Sequence, residues 1–120
     1  MTLQQRIESL WASRSDLAAV MPVEEARATV HEAIDLLDSG AARVAEVVDG
    51  EVVVHQWLKQ AILLLFPLSD MATTELGPYE YRDKIPLKHD YASAGVRVVP
   101  GASARWGAHL APGVVMMPSY

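Results

Sequence analysis

Leu3, Ile7, Leu10 and Trp11 recur at the spacing of a helix face, with Gln4, Gln5, Arg6 and Glu8 between them, and predict a first helix over residues 3 to 14. Ser13, Ser15 and Asp16 punctuate the chain after it. A second helix is expected from about Pro22 to Ser39, with Val23, Ala26, Val30, Ala33, Ile34 and Leu37 on one face. Pro22 suits the first helical turn, and Glu24 and Glu25 suit the positive end of the helix dipole. Gly40 stands where a left-handed C-terminal cap belongs.

The period then changes to two. In ARVAEVVDGEVVVHQ, Asp49-Gly50 separates two β-branched runs, the signature of a hairpin with a two-residue turn. That register pairs Val47 with Val52 and Ala45 with Val54, giving one wholly apolar face. The opposite face mixes Val48, Glu46 and Val44 with Glu51, Val53 and His55, and is expected to be partly wet. The hairpin runs into HQWLKQAILLLF. There Trp57, Leu58, Ala61, Ile62, Leu64, Leu65 and Phe66 leave a polar strip only at Lys59 and Gln60, so this third helix is expected to be the most buried. Pro67 ends it near Phe66. Residues 67 to 90, broken by Pro67, Gly77, Pro78 and Pro86, read as a polar loop or short strands.

From Val98 the period becomes six: VVPGAS, ARWGAH, LAPGVV, MMPSY. The first position of each unit is apolar or small (Val98, Ala104, Leu110, Met116), and the fourth is Gly101, Gly107, Gly113 and Ser119, with Gly95 one unit earlier. A left-handed parallel β-helix has this repeat, with three units to a coil. Its first positions fill a narrow prism, and its fourth lies near a corner where glycine's backbone freedom is useful. The units span little more than one coil, whose edges and prism would stay open, so the pattern predicts a chain that stops inside a fold. The expected class is α+β. A helical domain with a β-hairpin, residues 1–90, precedes the truncated first coil of a left-handed β-helix, residues 91–120.

Composition narrows the chemistry. Hydrophobic residues make up 51% of 120 residues, enough for one domain with a real core. A net charge of -5 with no basic cluster argues against nucleic acid. With no cysteine, disulfides, thiolate metal sites and cysteine nucleophiles are excluded. The N-terminus has neither signal-peptide nor membrane-span character, so a cytoplasmic protein is expected. His31-Glu32 has Asp35 where a second zinc-binding His would stand, and none of His31, His55, His89 and His109 has ligand spacing, so no metal is expected. His55 reads as a hydrogen-bonded hairpin-end residue. Ser69-Asp70 and Ser119 lack a nucleophile elbow, and the six-spaced glycines lack the lysine and helix start of a phosphate loop. Trp11, Trp57 and Trp106 read as packing residues. Trp106 faces either a neighbouring subunit or a surface contact. Arg97, between Gly95-Val96 and a strand-like run, offers a planar donor suited to a carboxylate, or else is a solvated or structural salt-bridging arginine.

Three stretches carry a resemblance: LLDSGAARVAEVVDGEVVVHQWLKQAILLLF (36–66), YRDKIPLK (81–88) and GVRVVPGASARWGAHLAPGVVMMPSY (95–120). Their order resembles the N-terminal part of the tetrahydrodipicolinate N-succinyltransferases. The resemblance implies a homotrimeric cytoplasmic enzyme that moves succinyl from succinyl-CoA, a cosubstrate, to the amine derived from tetrahydrodipicolinate on the diaminopimelate route to lysine. It implies no permanently bound cofactor and active sites between neighbouring β-helices. Arg97, in the GxRVVP motif, matches a substrate-binding arginine. The family's acidic partner residue and most of its CoA surface fall beyond Tyr120, so this chain alone is expected to be inactive. A non-catalytic oligomerisation or partner-binding module, and a related transferase with another acceptor, are the alternatives.

Overall fold

In a computed structural model, residues 1–120 are all described. Three helices make the core: α1 (Leu3–Ala12), α2 (Val23–Ser39) and α3 (Gln56–Leu65). Thr2 and Gln5 close a capping box on α1, each side chain accepting from the other's backbone N–H. A short 3-10 turn at Leu17–Ala19 leads to α2. Pro22 lies just outside the first turn rather than within it. Its ψ of 147 is extended, and its carbonyl accepts from the Ala26 N–H at 2.9 Å. Gly40 caps the far end at φ 80, as the sequence predicts.

Ile7 and Leu10 from α1, Ala26, Val30, Ala33, Ile34 and Leu37 from α2, and Leu58, Ala61, Leu64 and Leu65 from α3 fill the centre, with Met21, Leu68 and Ile85 beside them. Thr29 is the one buried polar side chain, and its hydroxyl donates to the Glu25 carbonyl at 2.8 Å. On α3 the wet strip is wider than Lys59 and Gln60, because Leu63 is 46% exposed. Trp11 and Trp57 pack at the edge of this cluster. No helix is long and apolar enough to cross a membrane.

The first hairpin, β1 (Ala45–Val48) and β2 (Glu51–Val54), has the expected register, Val47 opposite Val52 and Ala45 opposite Val54. Asp49 and Gly50 both take positive φ in its turn. Its apolar face, however, meets nothing in the chain: Val47 is 70% and Val52 72% exposed. A second antiparallel hairpin, β3 (Ala72–Leu76) and β4 (Tyr79–Asp83), occupies part of the irregular region, so short strands are the correct one of the two readings there. Almost all of it is exposed, including Leu76, Tyr79 and Tyr81. The radius of gyration is 16.2 Å, above the roughly 13–14 Å of a compact chain this long, as two projecting ribbons require.

A single helical turn, α4 (Tyr91–Ala94), leads into β5 (Arg97–Val98), which pairs in parallel with β6 (Val115–Met116). Arg97 lies opposite Val115, three six-residue units further on. Val98, Ala104, Leu110 and Met116, the first positions, are each half-buried. Gly95, Gly101, Gly107 and Gly113 all have positive φ, so the glycine spacing marks a recurring corner. Residues 86–88 run antiparallel to the second unit. The Lys88 N–H donates to the Ala104 carbonyl at 2.8 Å, and the Trp106 N–H to the Pro86 carbonyl at 2.9 Å.

The six-residue units are tied to the helices at the end of α2. One Asp38 carboxylate oxygen accepts from the Lys88 ammonium at 2.6 Å and from the Gly107 N–H at 2.7 Å. Asp35, one turn earlier, accepts from the Trp106 indole at 3.0 Å. Trp106 therefore turns back onto its own chain. A Cβ on Gly40 would lie 2.7 Å from the His109 ring, and one on Gly107 would lie 3.2 Å from Ile34. We predict that Asp38→Ala costs about 1–3 kcal/mol, because it strands an ammonium and an amide. Val52→Thr, on the uncovered ribbon, is expected to stay within about 0.5 kcal/mol. Urea unfolding followed by tryptophan fluorescence compares them, and equal midpoints would remove Asp38 from this role.

Candidate functional site: Arg97 and its surroundings

Arg97 opens β5, with its N–H donating to the Val114 carbonyl at 3.0 Å. Side chains alternate across a strand, so Arg97 and its partner Val115 face outward while Val98 and Met116 face the half-buried interior. Arg97 is exposed, and its guanidinium makes no hydrogen bond or ion pair within the chain. The Arg6, Arg14, Arg27, Arg82 and Arg105 guanidinium groups all have hydrogen-bond partners, whereas Arg43, also exposed, shares with Arg97 the lack of one. Of the readings of Arg97, the structural ion pair is thus absent, and an exposed guanidinium without an internal partner fits both a solvated side chain and a ligand-binding one. The five donors are left free for a planar carboxylate.

The residues before it are unusual. Asp90 takes φ 63, a left-handed conformation rare outside glycine, and its carboxylate accepts from the Ser93 hydroxyl at 3.1 Å. Gly95 ends α4 with φ 70. Its carbonyl accepts from the Gly113 N–H at 2.8 Å, and the Val96 N–H closes back onto the Tyr91 carbonyl at 3.0 Å. No sequence signal other than Asp90's tolerance of this conformation could have marked the turn.

A cleft of about 350 Å³ lies between α2 and residues 86–89, lined by His31, Asp38, Leu87, Lys88, His89 and Trp106 among others. It does not include Arg97. Its Asp38 and Lys88 are committed to each other, and His31 packs edge-on against Trp106 with ring centroids 5.0 Å apart. His55 sits at the hairpin end, its Nε2 3.4 Å from Glu46 and its N–H donating to the Val44 carbonyl at 2.7 Å. No serine is hydrogen-bonded to a histidine, and the one serine–carboxylate contact, Ser93 to Asp90, is an exposed bond within a single turn. The chemistry available at Arg97 is capture of an anion.

Arg105, from the second unit, binds the Asp83 carboxylate at the end of β4 at 2.7 Å and lies against the Phe66 and Tyr120 rings. The Asp83 carboxyl is held below its ordinary range, first by the hydrogen bond from the Lys84 N–H. Desolvation opposes this, and the Arg105 charge adds to it. The Arg27 guanidinium is raised above its usual value by its hydrogen bond to Glu24. A depressed carboxyl stabilises the fold above its unfolded value of 3.8 and loses that contribution as pH falls through the folded value. The stability advantage of wild type over Asp83→Asn is therefore expected to shrink as pH drops from about 6 to about 3. Urea midpoints measured across that range test it, and a constant difference would refute it.

Residues 2–68 match the family model described as tetrahydrodipicolinate N-succinyltransferase N-terminal. Among similar proteins, the 2,3,4,5-tetrahydropyridine-2,6-dicarboxylate N-succinyltransferase of Aeromonas hydrophila subsp. hydrophila is 48% identical over 98% of this chain and 45% of its own length. The enzyme of the same name from Burkholderia multivorans is 47% identical over 98% of this chain and 46% of its own. The chain thus spans less than half the length of the relatives it matches. With its helices, its Asp49-Gly50 hairpin and the match over residues 2–68, this chain belongs to the tetrahydrodipicolinate N-succinyltransferase family.

Proposed function

We propose that this chain is the N-terminal part of an acyltransferase that moves succinyl from succinyl-CoA to the amine derived from tetrahydrodipicolinate, in lysine biosynthesis through diaminopimelate. The observation that carries the reading is identity of 46 to 48% to enzymes of that name over 98% of the chain. The residues support it chemically. The relatives' names specify a dicarboxylate, and Arg97 is an exposed guanidinium with no partner in its own chain. Amine attack on the thioester carbonyl forms the C–N bond and breaks the C–S bond, and the proton lost by the amine ends on the departing sulfur, so that CoA leaves as its thiol. It requires no enzyme nucleophile. The protein contributes orientation and carbonyl polarisation, and Arg97 fixes the acceptor by one carboxylate. Succinyl-CoA enters as a cosubstrate, and no resident cofactor is invoked.

The parallel pairing of Arg97 with Val115 and the four positive-φ glycines support a division into a helical and hairpin unit, 1–90, and the first coil of a left-handed β-helix, 91–120. A cytoplasmic homotrimer completes the reading, with its sites between neighbouring coils and further site residues outside this sequence. The 120-residue chain by itself is then inactive.

In a full-length form, Arg97→Lys is expected to raise the KM for the dicarboxylate acceptor at least about tenfold, since an ammonium cannot reproduce the bidentate contact. Thermal stability is expected to change little. Steady-state kinetics indistinguishable from wild type would take Arg97 out of the site. The uncovered Val47–Val52 face favours a second reading, a non-catalytic partner-binding or oligomerisation module. Light scattering on the isolated chain, together with an acyl-transfer assay of the full-length form, separates the two. A well-defined trimer without acyl transfer even in the full-length form supports the module, and acyl transfer by the full-length form excludes it.

A further inference from the structure

The geometry points to Asp90 as a positioning residue for Arg97, acting through the single turn between them. This rests on the reading of Arg97 as the acceptor's carboxylate ligand. Two residues in the chain other than glycine have positive φ. One, Asp49, is explained by its hairpin turn. The other, Asp90, immediately precedes α4 and is exposed, so packing does not force its conformation.

Its surroundings do. On one side, Lys88 is held by its N–H to the Ala104 carbonyl and by its ammonium to Asp38. On the other, Gly95 and Arg97 are held by the Gly113 N–H and the Val114 carbonyl. Residues 89 to 94 must span two fixed points, and they do so with a left-handed residue, one turn, and the left-handed Gly95. The Asp90 carboxylate accepts from the Ser93 hydroxyl at 3.1 Å and locks the turn from within.

If Asp90 leaves the left-handed region, the span changes. Lys88 is anchored to helix α2, so the displacement falls on residues 95–97. Val96 is 8% exposed and resists translation, which leaves rotation at the start of β5, where the guanidinium departs. Such strain, sustained by its surroundings one turn ahead of a ligand-binding group in the chain, is the pattern expected of a pre-organised site.

The test compares Asp90→Val, Asp90→Asn, Ser93→Ala and Arg97→Lys in the full-length enzyme. The readouts are both KM values, kcat, and inhibition by pyridine-2,6-dicarboxylate, a planar analogue of the acceptor. A β-branched residue is excluded from the left-handed region, whereas Asn tolerates it and keeps an acceptor oxygen. Asp90→Val is expected to raise the acceptor KM and the analogue's inhibition constant about tenfold. It should leave kcat and the succinyl-CoA KM within about twofold. Asp90→Asn is expected to restore wild-type values, and Ser93→Ala to raise the acceptor KM about twofold to threefold. An unchanged acceptor KM in Asp90→Val, with a raised one in Arg97→Lys, would overturn the role of Asp90 and leave that of Arg97 standing. An unchanged value in both would overturn the reading of Arg97, and this inference with it. If Asp90→Val does not fold, Ser93→Ala decides: a raised acceptor KM supports the inference, and an unchanged one overturns it.

Discussion

The carboxylate of Asp38 joins two kinds of structure that obey different rules. Upstream, a helical core is held by apolar burial, which is strong but has no preferred direction. Downstream, a six-residue repeat has its first positions only half-buried and its parallel pairing limited to two short strands. Burial alone cannot set the angle between them. A single oxygen accepting from both the Lys88 ammonium and the Gly107 N–H can, because hydrogen bonds are directional. Gly40 and Gly107 leave room at this junction for the His109 ring and the Ile34 side chain.

The same attachment reaches the candidate site. Lys88 is bound to Asp38 by its side chain and to the second unit by its backbone, so the position of residues 89–97 is inherited from helix α2. Arg105 bound to Asp83 makes a second tie, from the repeat to the second hairpin. Between these ties Arg97 stands without an internal partner. A guanidinium on a mobile loop would lose conformational entropy on capturing a carboxylate. One whose backbone is fixed on both sides has less to lose, so more of the contact energy goes into binding.

Legibility in the sequence followed burial and local geometry. The three helices could be read because their apolar faces meet one another, and the Asp49-Gly50 turn because its conformation is a property of those two residues. The period of six is visible because every unit repeats the same backbone corner. The β3–β4 hairpin carried no such signal. Both its faces are wet, and the alternation is confined to Tyr79-Glu80-Tyr81-Arg82, with only Ala72, Thr74 and Leu76 opposite, too short a signal to separate strands from a loop. Asp35, Asp38, Lys88 and Trp106 are each plain in the sequence, Asp38 within the DSG block itself, yet the pairings of Asp38 with Lys88 and of Asp35 with Trp106 depend on folding residues 50 and 71 positions apart into contact. Arg97 was found through its motif. Its freedom from internal partners is a fact of three dimensions.

The apolar surplus of the chain is unevenly distributed, and this separates its parts physically. Half the residues are hydrophobic, but 16 of 120 are buried, and nearly all of those belong to α1, α2, α3 and the segments touching them. The large exposed apolar residues lie mainly on strands or beside them: Val47, Val52, Leu76, Tyr79, Val115 and Met117. Helices complete their backbone hydrogen bonds internally, so three of them can close a core without further help. A two-stranded ribbon keeps two open edges and two faces to cover, and is marginal on its own. The helical part therefore meets most of its burial and backbone hydrogen bonding from within, whereas each strand pair leaves more of both requirements unmet. Destabilisation is expected to begin at the ribbons and the parallel pair rather than among the helices, because their open edges and exposed faces contribute least to holding the fold.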